Sequence, residues 1–338
     1  MSATFHVHNG CISYSDDRRQ FLMKYALRRV LMLLATMIIV SFLTYAAFEL
    51  ISGDPAEAML GTQATPARIA ALRKELGLDA PFLLRYLRWL LGFFSGDLGI
   101  SYSYKQPVEE LIAPKLEITL LLCLISFVII SVISIPLGVI SYQQVVGRFG
   151  WIHTTVNQFL MAVPPFFTGI LISWCFGIIL RLFTPGDFPD LHEDVGGALY
   201  HLLFAAICIA IPRIAMTVRM MRSTVIAEME KDYVQTAISR GNDRQGVLMG
   251  HVLKNSLVPA VTFLAQTMAE IVAGGIVVEQ VFGIPGLGRL LVASISNRDY
   301  PVVQAIVVIL AFWVVLAGLT ADLINQCIDP RLRLGGES

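Results

Sequence analysis

The chain has 338 residues, of which 56% are hydrophobic and 15% are charged, and its formal net charge is zero. An ordinary soluble domain has about 25% charged residues, so this composition excludes a soluble protein and indicates a membrane protein. A net charge of zero gives no basic surface for nucleic acid, and no nucleic-acid partner is expected.

Six apolar runs are long enough to cross a bilayer, which takes about 20 residues because each backbone polar group must be hydrogen-bonded inside the segment. The second run carries Pro136 near its end, Pro164 and Pro165 interrupt the third, and His201 and Arg213 leave the fourth a short apolar centre. We therefore predict an all-α polytopic membrane protein with six transmembrane helices, at 30–51, 118–140, 156–180, 195–218, 257–281 and 302–321.

The first span is expected to stay in the mature protein, because Glu49, Asp54 and Pro55 follow it where a signal peptide would have small residues. Lys and Arg concentrate in the loops that would share a side with the N-terminus, whereas the short loops opposite hold only Arg181, Arg289 and Arg298. The positive-inside rule then predicts cytoplasmic tails at 1–29 and 327–338, in a bacterial inner membrane.

The N-terminal tail contains His6, His8 and Cys11, which are residue types that bind metals. Because this tail is expected to be disordered, we expect no metal site there.

The extracytoplasmic segment 52–117 contains two predicted helices. Thr65 can cap a helix that begins at Pro66 and stops at Gly77. A second amphipathic stretch, 82–94, carries Tyr86 and Trp89. Both helices are expected either to lie against the outer membrane interface or to form a small lid on the spans.

A polar, helix-compatible stretch at 232–259 separates the fourth and fifth spans. Gly241 can end one helix and let a second turn away from it, while Arg240, Arg244 and Lys254 provide a charged face. Such a charged helical loop, 219–256, needs a soluble partner to act on.

No catalytic motif was found in the chain. It has no phosphate-binding Gly-x-x-x-x-Gly-Lys-Ser/Thr loop, no His-Glu-x-x-His helix, no Cys-x-x-Cys pair and no Gly-x-Ser-x-Gly turn. We therefore expect no catalytic residues, no metal site and no enzyme activity in this chain.

Two acidic residues fall within the fifth span, where a charge costs about 2.5–3.5 kcal/mol. Glu279 is expected to meet Arg289 or a backbone donor, and Glu270 to line a watery path or bond a neighbouring helix. After this span, Pro285 and the glycines at 283, 286 and 288 favour irregular backbone. Residues 283–300 are interpreted as an outer gate loop, with a structural turn as the alternative; its candidate residues are Glu279, Phe282, Pro285, Gly286, Gly288, Arg289 and Asp299.

Several motifs then occur in the order of a known family. They include Gly53-Asp54-Pro55-Ala56, Gly96-Asp97-Leu98-Gly99, Pro285-Gly286-Leu287-Gly288, Arg298-Asp299-Tyr300-Pro301 and Asp329-Pro330-Arg331, together with the 232–259 loop. From about Met23 to Leu334, the chain resembles the permease subunits of ATP-binding-cassette (ABC) importers of the dipeptide, oligopeptide and nickel group.

The resemblance implies a type I importer fold with a permease core at 118–326, in which the 219–256 loop docks into a groove on an ATPase. The contact residues it implies are Tyr233, Gln235, Ala237, Arg240, Gly241, Lys254 and Asn255. Where the wider family usually has Glu-Ala-Ala, this chain has Gln235-Thr236-Ala237, which removes one charge. The implied partners are a second permease, two cytoplasmic ATPases that use ATP and magnesium, an extracytoplasmic solute-binding protein and membrane lipid.

The family implies peptide as the substrate, with a nickel chelate as the alternative. Two other classes stay open: a proton-coupled secondary transporter, which would show internal repeats, and a membrane scaffold or export component that lacks a binding protein. Co-purification separates them, because only the importer predicts two ATPases together with a second permease.

Overall fold

A computed structural model describes residues 10–51, 55–60, 64–75, 78–145 and 150–328. Several features singled out in the sequence lie outside this part of the chain: His6 and His8 in the N-terminal tail, Gly77 as a helix stop, and the terminal Asp329-Pro330-Arg331 motif.

Thirteen α-helices make up most of the described residues. Two short π-helical segments, Ser173–Ile179 and Leu248–Val252, continue α7 and α10. The helices are α1 Gly10–Ile51, α2 Pro55–Leu60, α3 Pro66–Glu75, α4 Phe82–Ser95, α5 Val108–Val145, α6 Gly150–Ala162, α7 Pro165–Ile172, α8 Val195–Met229, α9 Asp232–Ser239, α10 Arg244–Val247, α11 Leu253–Phe282, α12 Leu287–Ser296 and α13 Tyr300–Ile328.

The predicted all-α, polytopic fold is confirmed. Within the described residues, five helical stretches are long and apolar enough to cross a membrane: those containing α1, α5, α8, α11 and α13. The third predicted span is a broken pair, α6 and α7 with its π-helical extension, which bend by 93°. Pro164 and Pro165 explain the break, because the ring of each proline removes an N–H donor and fixes φ.

The helix α8 is the centre of the bundle, although His201 and Arg213 leave its sequence only a short fully apolar stretch. It packs most extensively on α5 and also contacts α6, α7 and α11. His201 is buried against Phe183, Phe188 and Phe282, whose rings meet the imidazole edge to face. The polar residue His201 of α8 is therefore surrounded by protein and does not face lipid.

Close contact between α5 and α8 depends on Gly138. A β-carbon at this position would lie 2.6 Å from Cβ and Cγ of Met221 on α8. Small residues at such crossings let two helix backbones approach, which is a main source of packing energy inside a membrane.

The two helices predicted in the outer segment are present as α3 and α4. Tyr86 on α4 is buried, and its hydroxyl lies 2.9 Å from the hydroxyl of Ser41 on α1. Phe42 and Tyr45 of α1 surround the Tyr86 ring. Leucines on another face of α4 remain exposed, so this helix packs on the first span through its aromatic face and presents a second apolar face outward.

We predict that Gly138→Ala lowers the free energy of unfolding by about 1–3 kcal/mol, because the added methyl group overpacks the α5–α8 contact. Thermal denaturation of the purified chain in detergent would measure this loss. The matched control is Gly318→Ala on α13, where no atom lies within 4 Å of the added β-carbon. This control should be neutral or stabilising by up to about 1 kcal/mol, and equal behaviour of the two variants would contradict the prediction.

Candidate functional site

The polar loop between the fourth and fifth spans folds as a compact helical hairpin (231–252), which we call the inner hairpin after the cytoplasmic side that the sequence predicts for it; the opposite end of the bundle is called the outer end. The helix α9 ends at Ser239, and Gly241 has a φ of 89°, in the left-handed region that favours glycine. Asp243 then caps α10 by accepting a hydrogen bond from the Gln245 amide at 3.2 Å. The turn predicted at Gly241 is thus a real break between two helices.

A buried carboxylate at the end of α8 holds the inner hairpin in place. Glu228 Oε1 accepts hydrogen bonds from the Tyr233 hydroxyl at 2.9 Å and from the Asn255 side-chain amide at 3.1 Å. Its other oxygen pairs with Lys231 Nζ at 2.5 Å. One side chain therefore joins the end of α8, the start of α9 and the start of α11.

The phenol of Tyr233 acts as a hydrogen-bond donor in this cluster. Partial burial raises its pKa above the ordinary value; the hydrogen bond from Asn255 lowers the pKa and the neighbouring Glu228 carboxylate raises it. Because the net shift is upward, the hydroxyl keeps its proton at neutral pH.

An apolar underside fixes the hairpin to the membrane spans. Val234 and Val247 are buried, and they pack with Met221 and Val225 of α8. Arg244 adds a polar contact by donating to the Tyr142 hydroxyl of α5 at 3.1 Å. The hairpin is therefore continuous with the packed core of α5, α8 and α11.

The residues predicted to contact an ATPase divide into two groups. Tyr233 and Asn255 turn toward Glu228, and Ala237 packs on the apolar underside. The others form an exposed rim, which consists of Gln235, Arg240, Gly241 and Lys254.

An ion pair lies near the middle of the membrane-spanning region. Arg213 Nη1 contacts Glu270 Oε2, which joins α8 to α11. Arg213 is about 27 Å along the helix from Val195 and about 24 Å from Met229. Of the two roles left open for Glu270, a bond to a neighbouring helix is present; the same side chain is 48% exposed.

At the outer end of α11, Glu279 caps the N-terminus of α12. This fully buried carboxylate accepts a hydrogen bond from the Arg289 amide at 3.0 Å and from the Thr119 hydroxyl at 2.7 Å. Thr119 in turn accepts from the Leu287 amide at 2.8 Å. The free N–H groups at a helix start are thus satisfied by α11 and α5, and the backbone donor predicted for Glu279 is present.

The Pro-Gly-Leu-Gly motif lets this carboxylate approach the backbone. A β-carbon on Gly286 would lie 2.4 Å from the Glu279 carboxylate, and one on Gly288 would lie 2.5 Å from Cα of Ile276. Glycine is needed here for close approach, and neither residue has a positive φ.

The structure also corrects the interpretation of 283–300 as irregular backbone. Residues Leu287–Ser296 form α12, and the non-helical part is limited to the turns on either side. Pro285 and the glycines at 283, 286 and 288 favour a loop by local backbone preference alone. The helix forms because α12 buries Leu287, Leu290 and Leu291, and because its N-terminal amides donate to Glu279 and to Thr119, which is 168 residues away from Leu287.

Asp299 closes the outer end with a second buried carboxylate. It accepts from the Ser101 hydroxyl at 2.5 Å and from the backbone amides of Tyr102 and Ser103 at 2.9 and 3.2 Å. These bonds tie the outer segment before α5 to the turn between α12 and α13. The two other candidate residues, Phe282 and Pro285, precede α12 in the chain. Phe282 is buried against Phe183.

Sequence reasoning missed Glu228, Thr119 and Ser101 as partners of the candidate residues. A local signal exists only for Glu228, because Lys231 and Tyr233 follow it three and five residues later. Thr119 and Ser101 are 160 and 198 residues away from Glu279 and Asp299, so only the tertiary structure could pair them.

Two family models match the chain. The model described as binding-protein-dependent transport system inner membrane component matches residues 134–334, which contain the inner hairpin, the ion pair and the Glu279 cap. The N-terminal model of the same transport system matches residues 22–123.

Relatives with similar sequences include three bacterial permeases. A putative peptide transport system permease protein of Brucella abortus (strain 2308) is 35% identical over 310 residues, which is 91% of this chain and 98% of the relative. The oligopeptide transport system permease protein of Bacillus subtilis is 33% identical over 311 residues, 91% and 98% of the two chains. The dipeptide transport system permease protein of Escherichia coli K12 is 32% identical over 339 residues, 92% and 99% of the two chains.

We predict that Glu279→Gln loosens the start of α12, because a neutral amide is a weaker acceptor and brings donors of its own to a site that already has them. If the free energy of opening of α12 falls by about 2 kcal/mol, hydrogen exchange of the α12 amides becomes about 30-fold faster. Hydrogen exchange followed by mass spectrometry would measure this change. The control is Glu193→Gln at an exposed position, and equal exchange in both variants would refute the capping role.

Proposed function

The chain belongs to the family of binding-protein-dependent transport system inner membrane components, and on this premise we propose that it forms half of the translocation path for di- and oligopeptides in an ATP-driven importer. Its role is mechanical: it passes the movement of cytoplasmic ATPases to the membrane spans and performs no reaction itself. The observation that carries this proposal is the inner hairpin, which has an exposed rim and is joined to α8 and α11 by the hydrogen bonds of Glu228.

The rim is suited to receiving force from a soluble partner. Arg240, Gly241 and Lys254 are exposed, whereas Val234 and Val247 beneath them are buried in the bundle. A load on the rim therefore reaches the spans through packed side chains, which deform little because protein interiors are close-packed.

The proposed assembly contains this chain, a second homologous permease, two cytoplasmic ABC ATPases and an extracytoplasmic solute-binding protein, in a bacterial inner membrane. ATP and magnesium are used by the ATPases and bind no site in this chain. Both termini and the inner hairpin lie in the cytoplasm, as the distribution of Lys and Arg favours. ATP-driven closure of the ATPases brings the two inner hairpins together and rocks the spans from inward-open to outward-open.

The Arg213–Glu270 pair supports a polar path on one face of α11. Glu270 is about half exposed near mid-membrane, where contact of a charge with lipid costs about 2.5–3.5 kcal/mol. Gln266 and Ala273, four residues before and three after it, are also exposed and share its face of the helix. A face with these residues is better suited to water or the second permease than to hydrocarbon.

Peptide is proposed as the substrate because the relatives are named for peptides, oligopeptides and dipeptides. A nickel chelate is the second candidate within the same family. A secondary transporter is disfavoured by the docking rim, which such a carrier would not need.

We predict that Gly241→Pro abolishes dipeptide uptake, because proline fixes φ near −65° and cannot adopt the 89° found at this turn. Uptake of labelled dipeptide by the complex reconstituted in vesicles would measure the effect, with nickel uptake as a parallel assay. The matched control is Gly246→Ala, where φ is not positive and no atom lies within 4 Å of the new β-carbon. Wild-type transport by Gly241→Pro would refute the coupling role, and nickel uptake without dipeptide uptake by the wild type would refute the substrate.

We predict that Glu270→Gln lowers dipeptide uptake about tenfold or more, because it leaves the Arg213 guanidinium without its partner in the membrane. Co-purification of the ATPases should be unchanged, because the inner hairpin is untouched. The exchanged pair R213E/E270R should recover part of the activity, and Glu193→Gln, at an exposed position before α8, serves as the control. Full activity of Glu270→Gln would exclude the pair from the transport path.

A further inference from the structure

A cavity of about 280 Å³ lies between the inner halves of α5, α6 and α8. Two arginines of α8, Arg219 and Arg222, contribute the charges in its lining. The polar groups around them are Ser141 of α5, Thr154, Asn157 and Gln158 of α6, and Ser223 of α8.

Among the described residues, no acidic group balances the charge in this cavity. None of its described lining residues is a carboxylate, and neither arginine is paired with one. Arg222 donates to the Thr154 hydroxyl at 3.2 Å, and Asn157 donates to the Ala215 carbonyl at 2.9 Å. Two guanidinium groups therefore face a space whose other polar groups are neutral, which favours an anion as the occupant.

The depth of the cavity matches the inner boundary of the hydrocarbon core. The 35 residues of α8 rise about 52 Å, so a core of about 30 Å centred on this helix leaves about 11 Å at each end. Arg222 lies about 10 Å before Met229, and Arg219 lies one turn deeper. Long arginine side chains at this depth reach the headgroup level while their stems stay among apolar groups.

We propose that this cavity binds the phosphate of an anionic phospholipid headgroup from the inner leaflet. Arg219 and Arg222 hold the phosphate oxygens, and the hydroxyl and amide groups of Ser141, Thr154 and Gln158 complete the polar side. Val218 and Ile226 line the same cavity and provide apolar contact for the first part of an acyl chain. The depth and the apolar lining beside the arginines favour a lipid over a free ion, because basic pockets between spans on the cytoplasmic side are typical headgroup sites.

This site is separate from the proposed transport function and does not depend on the substrate, although its assignment to the inner leaflet rests on the proposed cytoplasmic side of the inner hairpin. Bound lipid would join α5, α6 and α8 at their inner ends, next to the core under the inner hairpin. Its chemistry requires only a phosphate with a net negative headgroup.

The test is lipid binding by the purified full chain, measured by native mass spectrometry after extraction from nanodiscs of phosphatidylcholine with a minor fraction of phosphatidylglycerol. The wild type should retain phosphatidylglycerol in preference to phosphatidylcholine. Each neutralised arginine should weaken retention about fivefold, and R219Q/R222Q should weaken it about 30-fold. The charge-preserving R219K/R222K should stay much closer to the wild type, which separates loss of charge from loss of fold.

Arg181→Gln removes an exposed arginine on the outer side and should leave retention unchanged. Equal retention of phosphatidylglycerol by the wild type and R219Q/R222Q would overturn the proposal. Displacement of bound phosphatidylglycerol by inorganic phosphate alone, in detergent, would also overturn it, because the site would then recognise a free anion.

Discussion

The requirement that every backbone polar group be satisfied where water is scarce governs the arrangement of this chain. Long helices meet it internally, but each helix end and each turn near the membrane must find a partner elsewhere. Glu279 and Thr119 supply that partner at the start of α12, and Asp299 supplies it for the backbone amides of Tyr102 and Ser103. Buried carboxylates thus allow the outer end of the bundle to change direction without leaving donors unpaired.

The helices α8 and α11 carry the candidate sites from one end of the bundle to the other. On α11, Asn255 contacts the inner hairpin, Glu270 contacts Arg213 near mid-membrane, and Glu279 holds α12 at the outer end. The partner helix α8 provides Glu228 and Arg213. A displacement of the inner hairpin therefore acts on helices that also position the mid-membrane pair and the outer cap, which fits a chain that transmits motion.

Polar groups occur at three levels of the bundle. The rim of the inner hairpin is polar and exposed, the Arg213–Glu270 pair joins α8 to α11 near the middle, and the buried carboxylates of Glu279 and Asp299 accept hydrogen bonds at the opposite end. The arginine-lined cavity lies between the inner halves of α5, α6 and α8, on the same side of the bundle as the inner hairpin.

The sequence alone determined the fold class, the six apolar runs, the family, the α3 and α4 helices and the break at Gly241, because these depend on composition, periodicity and local backbone preference. The tertiary structure decided the rest. It showed that α8, with its polar residues, is the most central span, since Phe183, Phe188 and Phe282 surround His201 and Glu270 pairs with Arg213. It also showed that Leu287–Ser296 is helical and that Glu228, Thr119 and Ser101 complete the polar clusters. Those outcomes depend on contacts between residues far apart in the chain, for which a single sequence carries no periodic signal.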